Sequence, residues 1–381
     1  MRKLTRRSVM AGAGALAAAP ALAQQAGKAM LGTPPSVITN PPRQWGAGAE
    51  PDVYPDPDII VIDPAFRRLI VNLSAIKRIG TGYKWAEGPA WSGQGQYVVF
   101  SDVQDDVQYR YLWDAKIIIP YRKPSFNSNG NTFDFEGRQI SCQHYFRRLV
   151  RWEHDGSMTV LADAYDGKAL NSPNDVCVHK DGSVWFTDPG AGGSLSEGHP
   201  DAPGNPGNAD GLYDPKLGVS GAGLVGSMRR EYPPQVYRWD PSGRVDLVIP
   251  NSLIPGGNGI CFSPDYKTLY VISTQIYAFD VVGKTATNKR LFTDCMIDGV
   301  YCHPDGMRAD RAGNIWASSN APLGYSGVTV WSPAGKILGR IRLPETAANL
   351  CFAGPKRNQL FVTAAQSVYM LPVAIQGASP G

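Results

Sequence analysis

The sequence is short of charge: Asp, Glu, Lys and Arg make up only 18% of its 381 residues. Four of the 37 basic residues, Arg2, Lys3, Arg6 and Arg7, fall in the first 23 positions, where there is no acidic residue, which leaves 33 basic against 33 acidic residues in the rest. That balance gives no electrostatic reason to expect nucleic acid or an anionic membrane as a partner. No run approaches the about 20 apolar residues of a membrane-spanning helix, and helix-like periodicity is sparse. The five histidines (His144, His154, His179, His199, His303) show no zinc-ligand spacing. There is no Gly-x-Ser-x-Gly elbow. Gly221-Ala222-Gly223-Leu224-Val225-Gly226 imitates a dinucleotide glycine pattern but lacks the strand before it and the helix after it.

The chain opens on Arg2-Lys3 and Arg6-Arg7, continues through a weakly apolar Ala/Gly run and reaches Ala21-Leu22-Ala23. This reads as a twin-arginine signal peptide over 1–23 with cleavage before Gln24, and so predicts use of the twin-arginine export machinery and a bacterial periplasmic or secreted location, with no membrane association after cleavage. That route carries proteins already folded in a reducing compartment. Cys177, Cys261 and Cys351, set in apolar strand patterns, are therefore expected to be buried small hydrophobes. Cys295 and Cys302 are the pair close enough in sequence to consider bridging. Residues 24–60 are rich in Pro, Gly and Ala and suggest an extended arm rather than a packed element.

From there a unit recurs: a polar residue beside Gly, Asp or Pro, a short apolar strand, a turn, and a second strand rich in Tyr, Trp, Phe and Val. Asn174-Asp175-Val176-Cys177 leading to Trp185-Phe186-Thr187-Asp188 is one copy, and Asp305-Gly306-Met307 leading to Ile315-Trp316-Ala317-Ser318 another. The units start at Glu87, Asn129, Asn174, Asn258, Asp305 and Asn349, in steps of 42, 45, 84, 47 and 44 residues. Steps of about 45 residues are those of four-stranded propeller blades. The long step contains the Gly/Pro-rich stretch 190–234, which shows no strand alternation. The prediction is an all-β, six-bladed β-propeller over 61–374 with an insertion at about 190–234 and a tail at 375–381. A strand from Phe66–Val71 or from Ala75–Ile79 would close the ring by joining the last blade.

Innermost strands line a propeller's channel, so the six starting residues should ring one mouth. All are carboxylates or carboxamides. Two facing carboxylates repel unless a cation lies between them or one is protonated, and an all-oxygen set suits calcium, magnesium or manganese better than a metal seeking thiolate or imidazole. Residues ending second strands return to the same mouth, among them Asp102, His144, Asp188, Thr274 and Asn320. The insertion after Asp188 should roof it.

Ala86-Glu87-Gly88-Pro89-Ala90-Trp91, Asn129-Gly130-Asn131-Thr132, Asn171-Ser172-Pro173-Asn174-Asp175, Gly257-Asn258-Gly259 before Ser263-Pro264-Asp265, and Pro304-Asp305-Gly306-Met307 together resemble the gluconolactonase family, which includes regucalcin (senescence marker protein) and luciferin-regenerating enzyme. The resemblance covers about residues 65–374 and is strongest to bacterial gluconolactonases. It implies one divalent metal, calcium or alternatively magnesium, manganese or zinc, held by Glu87, Asn174, Asn258 and Asp305. It further implies hydrolysis of a small-molecule sugar lactone such as glucono-1,5-lactone, the metal polarising the carbonyl and Asp305 acting as general base. Asn129, His144, Asn174, Asp188 and Asn349 are the expected substrate contacts. Cleavage of organophosphorus esters on the same site, or a metal-stapled binding propeller without catalysis, are the alternatives.

Overall fold

The short strands of each unit are buried on both faces, as in Ala86–Ser92 and Val184–Asp188, because each sheet packs between its two neighbours. A computed structural model describes residues 33–190 and 231–378. Glu87's unit becomes the antiparallel sheet Ala86–Ser92, Tyr97–Asp102, Val107–Leu112, Ile117–Arg122, and Asn129's unit Ser128–Phe133, Gln139–Gln143, Arg148–Trp152, Met158–Ala162. The third sheet is Val176–Val178, Val184–Asp188, Gln235–Trp239, Val245–Ile249, and the fourth Ile260–Phe262, Thr268–Ile272, Ile276–Val282, Thr285–Thr293. The fifth holds Met307–Ala309, Ile315–Ser319, Gly327–Trp331 and Ile337–Arg342, and the sixth Asn349–Ala353, Gln359–Ala364 and Ser367–Pro372. Neighbouring innermost strands touch all the way round, and the sixth touches the first. The fold is a six-bladed β-propeller.

Closure uses the second of the two expected segments, displaced by two residues. Lys77–Thr81 pairs with Ser367–Pro372 as the outer strand of the sixth blade. The other candidate holds a 3-10 turn, Pro64–Arg68, which buries Phe66 against Trp316 at 6.2 Å between ring centroids and on Gly339, where a Cβ would stand 2.2 Å from the Phe66 ring. The core lies between blades, with Trp91, Trp185 and Trp316 almost fully buried.

The expected extended arm is anchored in part, with Ser36, Val37, Asp56 and Asp58 buried. Ile59–Val61 pairs with Gly339–Ile341 and adds a fifth, outermost strand to the fifth blade. Two buried aspartates hold the rest. Asp56 accepts from Arg43 at 2.8 Å and from the Ile76 amide at 2.9 Å, and Asp58 accepts from Ser36 Oγ at 2.5 Å and faces Arg342 Nε at 3.2 Å. Proline content hid this because the partners of these carboxylates lie as far away as Arg342. The expected tail is also engaged, since Gly377 bridges Asp310 and the Ala378 amide donates to Ala309 O at 3.0 Å. The expected signal peptide and nearly all of the expected insertion lie outside the described residues.

All six cysteines are buried free thiols. Burial pushes the thiols of Cys261 and Cys351 up to about 12 and that of Cys177 well above its ordinary value. Cys295 and Cys302 face each other on the hairpin Met296–Ile297 and Val300–Tyr301, with the Cys302 amide donating to Cys295 O at 3.0 Å.

Candidate active site

Glu87, Asn129 and Asn349 lie at the head of the innermost strands Ala86–Ser92, Ser128–Phe133 and Asn349–Ala353. Asn174, Asn258 and Asp305 stand two residues before the first residue of Val176–Val178, Ile260–Phe262 and Met307–Ala309. Side chains link part of this ring directly: Asn129 Nδ2 donates to Asn174 Oδ1 at 2.8 Å, and Asn174 Nδ2 donates to Asn258 Oδ1. Glu87, Asn129, Asn174 and Asn349 are buried, while Asn258 and Asp305 are partly exposed.

Four ring residues are followed by glycine, and the reason is steric. A Cβ on Gly88 would stand 2.1 Å from Asn129 O, on Gly130 2.4 Å from Asn174 O, on Gly259 2.3 Å from Asp305 O, and on Gly306 2.1 Å from the Asn349 carboxamide. Each glycine therefore lets the next blade's ring residue approach. Gly88 also has φ +50, where a side chain is strained. Asn131 reinforces the same contact, its Nδ2 donating to Gly88 O at 2.8 Å and to Asn129 O at 3.0 Å. The glycine after these four ring residues is visible in the sequence, whereas Asn174 is followed by Asp175 and Asn349 by Leu350.

Beneath the ring lies a buried charge pair that periodicity could not reveal. Arg308 Nη1 stands 3.4 Å from Asp175 Oδ2, and Asn349 Nδ2 donates to the same oxygen at 3.4 Å. Burial opposes the guanidinium charge, yet its pKa is raised, with Asp175 the leading favourable neighbour. Asp175, next to the ring residue Asn174, is thus tied to the ring residue Asn349 and to Arg308, three residues after Asp305.

Two expected substrate contacts, Asp188 and His144, are fully buried. Asp188 turns its oxygens to backbone: Oδ2 accepts the Asn171 amide at 2.7 Å and Oδ1 the Ser172 amide at 2.6 Å. The two amides before Pro173 thereby find the acceptor they need inside the protein. The His144 amide donates to Asn127 O at 3.1 Å.

No cluster of three or more His, Cys, Asp or Glu suited to a metal occurs among the described residues. A cation at this mouth would depend on amide oxygens beside its two carboxylates. The donor set fits a hard divalent ion, since every candidate is oxygen and an amide oxygen such as Asn174 Oδ1 keeps a second lone pair beyond the Asn129 bond.

The family model described as the SMP-30/Gluconolactonase/LRE-like region matches residues 85–366. The chain belongs to this family. A gluconolactonase of Zymomonas mobilis is 29% identical to it over 336 residues, covering 81% of this chain and 84% of the relative. Regucalcin of Xenopus laevis is 28% identical over 305 residues, covering 74% and 84%. A solved structure of a Xanthomonas campestris gluconolactonase superposes with a TM-score of 0.68 at 28% identity, covering 87% of this chain and 99% of the other. The family match spans all six ring residues, from Glu87 to Asn349.

Proposed function

We propose that this protein is a lactonase that opens a sugar lactone, an aldonolactone such as glucono-1,5-lactone, to the aldonic acid with the help of one divalent cation. The family membership and the relatives named gluconolactonase support the reaction class. The observation that carries the site is the linked oxygen ring, in which Asn129, Asn174 and Asn258 join side chain to side chain between Glu87 and Asp305. Glu87, Asn174, Asn258 and Asp305 would hold the cation, calcium being favoured by the all-oxygen set. When bound, such an ion supplies Lewis-acid polarisation of the lactone carbonyl.

The chain's own groups do the rest. Asp305, partly exposed at the mouth, accepts the proton of the water that attacks the carbonyl carbon. The carbonyl carbon's bond to the ring oxygen breaks, and that oxygen receives the proton, giving the hydroxy acid. Asn129 and Asn349 offer neutral donors and acceptors to sugar hydroxyls, a lining suited to an uncharged, hydroxyl-rich ring. The test is acid release from a panel of aldonolactones, aliphatic lactones and a fluorophosphate. Faster opening of an aldonolactone than its spontaneous hydrolysis is expected, and preference for the fluorophosphate would overturn the substrate class. We also infer twin-arginine export, with a mature N terminus at Gln24. Protein retained in the cytoplasm of its host with Met1 or Arg2 intact would refute it.

A further inference from the structure

Asp102 and Asp188 end the second strands Tyr97–Asp102 and Val184–Asp188 of the first and third blades, and both are buried. Asp102 Oδ2 accepts the Lys84 amide at 3.0 Å and Oδ1 the Trp85 amide at 2.9 Å. Asp188 does the same for Asn171 and Ser172 at 2.7 and 2.6 Å. In both blades the two amides lie three and two residues before the ring residue, Glu87 in one and Asn174 in the other. The loops differ in sequence, Lys84-Trp85-Ala86-Glu87 against Asn171-Ser172-Pro173-Asn174, so what repeats is the carboxylate and its two targets. A carboxylate accepting two adjacent amides fixes both peptide planes, and the loop cannot pivot without losing charge-assisted bonds.

Other ring members are served differently. In the second blade Asp106 accepts the Ser125 and Asn127 amides at 3.0 and 2.8 Å, and in the fifth Ser318 Oγ accepts those of Asp305 and Gly306 at 3.2 and 3.0 Å. Gln143, which ends the second strand of the second blade, spends its side-chain oxygen on Arg148 at 2.7 Å.

We infer that Asp102 and Asp188 are a matched pair of positioning residues, which hold Glu87 and Asn174 at the spacing a divalent cation requires. The inference rests on the metal-dependent reading above. Asparagine is isosteric at either position but turns an NH2 toward a backbone N–H, removing one bond and leaving two donors opposed.

Asp102→Asn, Asp188→Asn and the remote Asp240→Asn would be titrated with calcium by calorimetry, with circular dichroism to verify the fold. The expected result is calcium affinity weakened about ten- to hundred-fold in the first two, the usual consequence of losing a group that orients a metal ligand, and unchanged in the third. Saturating calcium should restore lactone opening in both. Independently of any variant, the amides of Trp85 and Ser172 in the wild-type protein should exchange with solvent as slowly as those of blade-core strands. Unchanged calcium affinity in folded Asp102→Asn and Asp188→Asn, or rapid exchange at Trp85 and Ser172, would overturn the pairing. A wild-type protein that binds no calcium, magnesium or manganese would overturn the metal reading beneath it, while the exchange result would still decide whether the two carboxylates are anchors.

Discussion

Glu87 and Asp305 bring two negative charges to a ring whose other members are neutral amides. Removing either charge takes from the site something that Asn129, Asn174, Asn258 and Asn349 cannot replace. Glu87→Gln should therefore act mainly on metal affinity. Asp305→Asn should lower both affinity and the rate at saturating metal if the aspartate also accepts the water's proton as proposed, an effect of about 10²–10⁴-fold for a general base. Calorimetry and steady-state kinetics on the same preparations separate the two, and equal rates in both variants at saturating calcium would remove the base role from Asp305. A different carboxylate reports on stability. The Ser242 hydroxyl and amide, then Arg238 at 2.8 Å, hold Asp240 well below the usual carboxylate range. A depressed folded pKa stabilises the fold above the unfolded value of about 3.9 and loses that contribution as pH falls through the lower folded value. The stability gap between wild type and Asp240→Asn should be constant above about pH 5 and close below about pH 4, as read by denaturant midpoints.

At the scale of the strand, the site depends on how closely inner strands approach one another. Gly88→Ala would put a Cβ 2.1 Å from Asn129 O at a residue with φ +50, and should cost about 2–4 kcal/mol from left-handed strain and overpacking together. Its urea midpoint should fall accordingly, and a wild-type midpoint would show that the ring tolerates wider spacing. Much of this element was readable in advance, because period-two apolar alternation and the polar residue opening each unit locate the inner strand and its mouth end. Asp188 shows what alternation leaves out. It places the residue at the mouth but says nothing about the Asn171 and Ser172 amides that claim its carboxylate, since that need arises only once the loop before Asn174 is folded. Arg308 and Asp175 were hidden for the same reason, lying 133 residues apart in the chain and 3.4 Å apart in the channel.

Across the whole molecule, Lys77–Thr81 closes the ring on the sixth blade and Ile59–Val61 adds an outer strand to the fifth. Asp58 ties the segment before them to Arg342 and Ser36 with no exposed surface. Asp58→Ala would leave buried guanidinium charge without its partner and should cost about 3–5 kcal/mol, seen as a lower unfolding midpoint with calcium affinity intact in the folded protein. An unchanged midpoint would show that this segment does not contribute to closure. The number of blades and the family were legible from repeat spacing and motifs. The packed arm was not, because its stability comes from Asp56 and Asp58 meeting residues elsewhere in the chain, and proline content carries no trace of that. Common to the site predictions is the proposal that the oxygen ring works through a bound cation. Its most direct measurement is the rate of glucono-1,5-lactone opening by wild type and Glu87→Gln, first stripped with chelator and then titrated with calcium. Stripping should abolish the wild-type rate above spontaneous hydrolysis, calcium should restore it, and Glu87→Gln should need far more calcium to recover. Full activity in the stripped wild-type protein would contradict it.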